Sequence, residues 1–248
     1  RWKLRTGGTA NTDDGTLIDD TLIGVGADTS YKNIFTGVFT NDDLINATPG
    51  ALEYLVYNGG AWVNTTAMDA TTAAKDAYIY DDYTVSANAA ANNIGINTGN
   101  TLTIGSSVGL DIDGNLTANG NMSINSGGSL IVSGTSSGNI TYNRNLANTD
   151  WYLVSSPVMG QDIDTFVSAE GLASGTNNNN MGLASYDNTS AAWSYHQSDA
   201  SVSGDFALGS GRSIKLAAAG DISFTGTMPV ENVSIAITSN TNGYNLVG

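Results

Sequence analysis

The chain of 248 residues carries 8 Lys and Arg against 23 Asp and Glu, which gives a net charge of −15. So few basic residues argue against nucleic-acid binding and against docking on anionic lipid, because both require a basic surface. The absence of Cys excludes a disulfide scaffold and thiolate metal sites, and a single His argues against zinc catalysis. No run of about 18 apolar residues is present, so the sequence predicts no membrane insertion.

Residues 1–75 are predicted to form an N-terminal β domain or the end of a preceding module. Near its end, Tyr54–Tyr57 and Trp62–Val63 flank the pair Gly59-Gly60, a pattern that predicts a β-hairpin. The following Thr65–Lys75 segment is rich in Ala and Thr and is predicted to be a short helix. Glu and Lys are rare elsewhere, so the chain as a whole is predicted to be all-β.

A short phrase recurs in residues 76–143, starting at Gly99, Gly114, Gly120, Gly127 and Gly138. Each copy has a turn residue pair followed by alternating apolar and small polar positions. One copy is too short to bury its own apolar face, so stacked copies must share a core, which predicts a short parallel β-helix. The spacing also fits a meander or sandwich of hairpins, and this alternative stays open. The predicted inward residues are Ile94, Ile96, Leu102, Ile104, Leu110, Ile112, Leu116, Met122, Ile124, Leu130 and Val132.

Residues 144–248 are predicted to form a C-terminal β-sandwich-like domain. Its alternating runs include Ser213–Leu216, Asp221–Phe224 and Val233–Ile237, which are predicted strands. Asp162 is placed to cap a short helix that runs to Ala169. The last residues stop within an apolar run, so we expect the chain to be a fragment of a longer protein.

Several phrases carry a resemblance to a known group of proteins. They include Gly99–Ile104, Asp113–Leu116, Trp151–Val158, which reads WYLVSSPV, and the closing Asn245–Gly248, which reads NLVG. These residues resemble the large secreted surface proteins of Bacteroidetes, especially flavobacteria, that the type 9 secretion system exports. The resemblance covers roughly residues 50 to 248 and implies an extracellular or outer cell-surface location. Its motifs define shape rather than catalysis, so it implies no particular activity.

Asp residues occur in local pairs that suggest structural Ca²⁺, because this ion prefers carboxylate oxygens at turns. Asp111 and Asp113 stand two positions apart and would share one face of a strand. Asp81 and Asp82 form a second candidate pair, and Asp28 ends a partial match to a calcium-binding repeat. The alternative is that these Asp residues cap turns and keep the protein soluble.

Five aromatic residues suggest a surface on which sugars stack: Trp62, Trp151, Tyr186, Trp193 and Tyr195. Aromatic residues at strand positions more commonly belong to the core. We therefore expect core packing for these five residues. In the alternative, Tyr186, Trp193 and Tyr195 are the candidate glycan ligands.

The sequence gives little support to catalysis. Gly105–Gly109 matches the G-x-S-x-G pattern around Ser107, but that motif requires a strand, a turn and a helix, whereas strands are predicted on both sides. The only His, His196, lies in a strand-like aromatic run. A polysaccharide lyase needs basic residues, and residues 76–143 contain none, with Lys75 and Arg144 at the two ends. The chain is predicted not to be an enzyme.

These observations favour a non-enzymatic, secreted structural or adhesive module that self-associates, or binds other surface proteins or glycans, and assembles into a fibre or surface layer. In this hypothesis the β-helix is a rigid spacer. The alternative is a carbohydrate-binding or polysaccharide-degrading module of a secreted protein. The two differ in one property: a carbohydrate binder exposes its aromatic residues on one face, whereas a structural module buries them.

Overall fold

The computed structural model describes residues 54–63, 67–176, 179–199, 204–239 and 242–248. Within these ranges the protein is nearly all β and contains a parallel β-solenoid of about four turns, which confirms the predicted fold class. In chain order the solenoid region comprises β1 (Tyr54–Asn58), β2 (Ala61–Trp62), β3 (Asp76–Ile79), β4 (Tyr83–Val85), β5 (Ala89–Ala91), β6 (Ile94–Ile96), β7 (Thr101–Ile104), β8 (Gly109–Ile112), β9 (Leu116–Ala118), β10 (Asn121–Ile124), β11 (Ser129–Val132), β12 (Ser136–Ser137) and β13 (Ile140–Leu146).

Three parallel sheets form the faces of the solenoid, and the chain passes from one sheet to the next. The first sheet has the order β12-β9-β6-β3-β1-β2, the second includes β13-β10-β7-β4, and the third is β11-β8-β5. Each strand lies beside the strand one turn later, so Leu102 is opposite Met122 and Leu110 is opposite Leu130. This parallel pairing excludes the meander of hairpins for the repeat.

Alternation within the short strands fills the solenoid with one apolar core. In β7, Leu102 and Ile104 are fully buried, whereas Thr101 and Thr103 are partly exposed. All the predicted inward residues are buried except Leu130, which packs against the core but is only partly covered. Leu130 lies on β11, which is the last strand of the third sheet among the described residues, whereas Val132 on the same strand is buried.

The predicted hairpin is present at the start of the described region. β1 and β2 pair antiparallel, and Gly59 and Gly60 between them have φ of 65° and 77°. A type I′ turn requires positive φ at both central positions, which glycine adopts without strain. β1 also pairs in parallel with β3. Residues 54–58 therefore add a strand to the first solenoid sheet, ahead of the predicted boundary after residue 75.

Among its described residues, the C-terminal region contains one short helix and a four-stranded antiparallel sheet, which we call the C-terminal sheet. The elements of this region are β14 (Tyr152–Val154), α1 (Ile163–Ala169), β15 (Asn180–Asp187), β16 (Ala192–Gln197), β17 (Arg212–Ile214) and β18 (Gly220–Gly226). The C-terminal sheet has the order β14-β17-β15-β16. Asp162 caps α1 as predicted, because its Oδ1 accepts a hydrogen bond of 2.7 Å from the backbone N–H of Thr165.

A second apolar core lies between the inner face of the C-terminal sheet and β18. Leu183 and Ile214 enter it from the sheet, Phe224 from β18, and Phe166 from α1. β18 pairs antiparallel with β13 over seven residues and thereby extends the second solenoid sheet. β13 therefore belongs to both halves of the fold and crosses the predicted boundary after residue 143. Tyr142 on β13 packs against both cores.

Two predicted elements are wrong. Residues 67–75 of the predicted Thr65–Lys75 helix form turns, because Asp69 accepts hydrogen bonds from Thr71 and the Thr72 hydroxyl bonds to the carbonyl of Ala90. The predicted strand Val233–Ile237 forms no ladder with any described residue. In both segments the local sequence pattern favours the predicted helix or strand. Whether that element forms depends on contacts with distant parts of the chain.

Candidate functional site

The outer face of the C-terminal sheet carries an open groove, which we call the aromatic groove. Its volume is about 310 Å³, and it is lined by Trp151, Leu153, Ala184, Trp193, Tyr195 and Ser213. This volume is at the lower end of the range for small-molecule sites. The groove is the main candidate for a binding site in the described part of the chain.

Strand alternation and sheet register bring these residues together. Across the sheet, Leu153 lies opposite Ser213, Ser213 opposite Ala184, and Ala184 opposite Tyr195, so the four form one row. Trp193 stands two residues from Tyr195 on β16 and therefore shares its face. The sequence folds this way because Val154, Leu183 and Ile214, on the opposite face, enter the second core.

The aromatic rings stand around and over a floor of small residues. Trp151 and Tyr195 meet edge to face with their ring centroids 5.9 Å apart. Trp151 is 45 % exposed, Trp193 42 % and Tyr195 38 %, whereas the floor residues Ala184 and Ser213 are buried. The faces of the aromatic rings therefore remain accessible to solvent. The groove is deep because the side chains on its floor are small.

Tyr186, which is half-buried, contacts one of the residues that line the aromatic groove. Its ring meets that of Trp193 edge to face at 5.2 Å between centroids. The side-chain amide of Asn242 donates a hydrogen bond to the Tyr186 hydroxyl. The segment after residue 241 therefore fixes the orientation of Tyr186, and through it supports Trp193.

The three candidate glycan ligands are thus brought together, since Trp193 and Tyr195 line the groove and Tyr186 supports it. Trp151, which immediately precedes β14, joins them. The expected core packing holds for Trp62, which packs against Tyr57 and Tyr83 on the solenoid core. Core packing was the wrong expectation for Trp151, Trp193 and Tyr195, because their outer strand face has no layer above it among the described residues.

The residues of the G-x-S-x-G pattern do not form a nucleophile elbow. Ser107 lies in the turn between β7 and β8, two strands of the solenoid, with φ of 61°. His196 lies on β16, where its Nε2 is 4.0 Å from Oδ1 of Asp164 on α1. Ser107 is therefore flanked by strands on both sides, as the sequence predicted, and its arrangement does not match the motif.

Four of the five Asp residues proposed for Ca²⁺ lie in the described solenoid: Asp81, Asp82 and Asp113 between strands, and Asp111 on β8. Asp81 accepts a hydrogen bond of 3.0 Å from the N–H of Gly60, and Asp82 accepts one of 2.8 Å from the N–H of Thr101. Asp111 and Asp113 are both exposed, and Asp28 lies outside the described residues. The described ranges contain no group of three or more His, Cys, Asp or Glu side chains that could hold a metal ion. The calcium site stays a prediction.

No protein-family model, curated protein or solved structure matches the chain. Within the described ranges, no helix is both long and apolar enough to cross a membrane.

Sequence reasoning did not identify Leu153 and Ser213 as groove residues. The available signal was the two-residue spacing of Trp151, just before β14, and Leu153 on β14. This spacing puts two large apolar side chains on one face while Tyr152 and Val154 occupy the other. Ser213 had no such signal, because its place in the groove depends on the pairing of β17 with two strands that are distant in sequence.

Proposed function

We propose that this protein is a non-enzymatic, adhesive cell-surface module that binds carbohydrate in the aromatic groove. In this proposal the β-solenoid is a rigid spacer and the C-terminal sheet carries the binding site. The extracellular location is part of the proposal and rests on the resemblance of the sequence to secreted surface proteins. The single observation that carries the binding function is the group of exposed aromatic rings around a buried floor.

Exposed aromatic residues in a groove need an explanation, because isolated soluble domains rarely leave several large rings together in water. The rings of Trp151, Trp193 and Tyr195 offer flat apolar faces and polar edges. Sugar rings have the matching chemistry, with C–H groups on their faces and hydroxyl groups around their edges. The exposure of these residues favours carbohydrate binding over a purely structural role.

Sugar cleavage receives less support from the same groove. Glycoside hydrolysis requires two carboxyl groups on either side of the bond that is broken. The six residues that line the groove include neither Asp nor Glu. We therefore propose retention of a glycan rather than its degradation.

The test is affinity electrophoresis of the protein through native gels that contain soluble polysaccharides. Binding slows migration relative to a gel without polysaccharide. Trp193→Ala is expected to abolish the retardation while circular dichroism and the melting temperature stay near wild type. Ile131→Ala is the control, because Ile131 is 58 % exposed but lies on the third solenoid sheet. Equal retardation of wild type and Trp193→Ala would contradict the proposal.

Assembly into a fibre or surface layer is a second candidate function, favoured by the edges of the solenoid. In the described part of the chain, β11 and β12 each pair with a strand on one side only. Such edges offer unpaired backbone groups to another chain. Negative-stain electron microscopy with and without EDTA tests both assembly and the predicted Ca²⁺. Ordered fibres that loosen in EDTA would support both, and dispersed particles unaffected by EDTA would contradict both.

A further inference from the structure

The floor of the aromatic groove contains one polar side chain, the hydroxyl group of Ser213. Ser213 is only 7 % exposed and lies on β17, between β14 and β15. Its neighbours across the sheet are Leu153 and Ala184. No hydrogen bond joins the Ser213 hydroxyl to any other residue in the described ranges, although Ser213 lines the groove.

The Ser213 hydroxyl is a polar group at the bottom of the groove, and it is not among the buried side-chain atoms that lack a partner. It is therefore open to the groove, where a bound molecule can reach it. Ala at the same place would fill the floor as Ala184 does, but it would offer no hydrogen bond. Ser213 thus supplies a hydrogen-bonding group in an otherwise apolar floor.

The charges around the groove restrict the chemistry of that molecule. None of the six lining residues is charged. Arg212 precedes Ser213 but projects to the opposite face, where its guanidinium carbon is 5.7 Å from the ring centroid of Phe206. Alternation places Lys215 on the face of Ser213, but Lys215 does not line the groove. A net charge of −15 repels polyanions at long range.

We propose that the aromatic groove takes a neutral glycan and that Ser213 is a specificity-determining residue that hydrogen-bonds a sugar hydroxyl. This inference rests on the proposed carbohydrate-binding function and adds to it the class of glycan and the residue that selects it. The rings of Trp151, Trp193 and Tyr195 would contact the sugar faces. Ser213 would contact a hydroxyl that reaches the floor.

The experiment compares two sets of polysaccharides by affinity electrophoresis. The neutral set contains a soluble glucan, mannan, xylan and galactan, and the anionic set contains polygalacturonate, alginate and chondroitin sulfate. We expect retardation by at least one neutral polymer, by no anionic polymer, and with little dependence on salt. Lys215→Met is expected to leave the affinity unchanged, because Lys215 lies outside the groove.

Ser213→Ala tests the role of the hydroxyl. We expect the affinity for the retarding neutral polymer to fall about 3- to 10-fold, which corresponds to one hydrogen bond. The melting temperature should stay near that of wild type, because the hydroxyl makes no hydrogen bond to another described residue. Ser194→Ala is the matched control, since Ser194 lies on β16 between Trp193 and Tyr195 and faces away from the groove. It should bind as wild type does.

The alternative outcomes separate the inference from the function on which it rests. Retardation only by anionic polymers, weakened by salt and by Lys215→Met, would overturn the neutral-glycan inference and leave carbohydrate binding intact. Unchanged affinity of Ser213→Ala would overturn the role of Ser213. Retardation by no polysaccharide at all would overturn the proposed function itself.

Discussion

The side-chain oxygen of Asn93 accepts a hydrogen bond of 2.8 Å from the backbone N–H of Asn115, which lies one solenoid turn further along the chain. Asn115 repeats this contact with the backbone N–H of Thr135, also at 2.8 Å, and accepts a second bond from the Thr135 hydroxyl. Asp76 begins the column by accepting from the N–H of Asn93 at 3.2 Å. One corner of the solenoid is therefore held together by side chains that reach from turn to turn.

Replacing Asn115 with Ala should destabilise the solenoid, because the N–H of Thr135 loses its acceptor. We expect a loss of about 1 kcal/mol in the free energy of unfolding, the usual contribution of a hydrogen bond of this kind. Urea denaturation followed by circular dichroism measures it. Asn119→Ala is the control, because Asn119 is an exposed turn residue near Asn115 whose side chain makes no such contact. Equal losses in both variants would show that the column does not stabilise the fold.

Gly120 is required by close contact between turns rather than by backbone conformation. A Cβ at this position would collide with the carbonyl oxygens of Asn97 and Asn100 in the preceding turn. Gly120→Ala should therefore push the turns apart and cost about 1–3 kcal/mol, as overpacked cores do. Gly171→Ala should have little effect, because a Cβ there meets no atom within 4 Å. Thermal melting of the two variants tests this difference.

Side chains form hydrogen bonds with backbone N–H groups of β18 on the edge that does not pair with β13. The carboxylate of Glu170 accepts a hydrogen bond of 2.9 Å from the N–H of Ser223, and the side-chain oxygen of Gln161 accepts one of 2.7 Å from the N–H of Thr225. Glu170 is partly buried, and this burial raises its pKa, with a smaller contribution from the charge of Asp221. The contact with Ser223 lowers the pKa but does not outweigh burial.

A raised pKa in the folded state means that the folded protein holds the Glu170 proton more tightly than the unfolded chain does. The stability that this proton gives is complete below the ordinary Glu pKa and is lost as the pH rises through the raised value. Glu170→Gln keeps the acceptor for Ser223 and removes the charge. We expect Glu170→Gln to melt above wild type at pH 7 and with wild type near about pH 4.5. A constant difference between the two proteins at both pH values would contradict this assignment.

The second core depends on three aromatic rings from separate elements. Phe224 stacks on Phe166 with centroids 4.9 Å apart and meets Phe206 edge to face at 5.6 Å. Phe224→Ala should cost about 3–5 kcal/mol, the range for a buried Phe. Ile237→Ala should stay within about 0.5 kcal/mol of wild type, because Ile237 is 72 % exposed. Urea denaturation of both variants checks the contrast.

The solenoid could be predicted from the sequence because its signal is local and repeated. In β7 and β10, apolar residues alternate with small polar ones, and Gly or Asn stands at the turns. Leu130 matches the same pattern but is only partly buried, whereas Val132 on the same strand is buried, and the pattern does not distinguish the two. Val233–Ile237 alternates equally well, yet no described strand pairs with it. A strand requires a partner, and the sequence of one segment does not contain that information.

The aromatic groove could be predicted only in part. The two-residue spacing of Trp193 and Tyr195 places them on one face of a strand. Whether that face points to solvent depends on which side of the C-terminal sheet packs against β18 and α1. Trp151 and Ser213 are far from β16 in sequence and reach the same face through the order β14-β17-β15-β16. Long-range pairing of this kind is not encoded in any short motif.

The parallel stacking of the solenoid turns has a consequence for the length of the protein. Leu102 lies beside Met122, 20 residues later, and the spacing of other stacked pairs ranges from 17 residues (Ala77 and Ile94) to 22 residues (Ile94 and Leu116). Each further turn adds about 4.8 Å. Duplicating residues 101–120 would therefore insert one more layer without altering β13 or the C-terminal sheet. The number of solenoid turns therefore sets the distance between β1 and the aromatic groove.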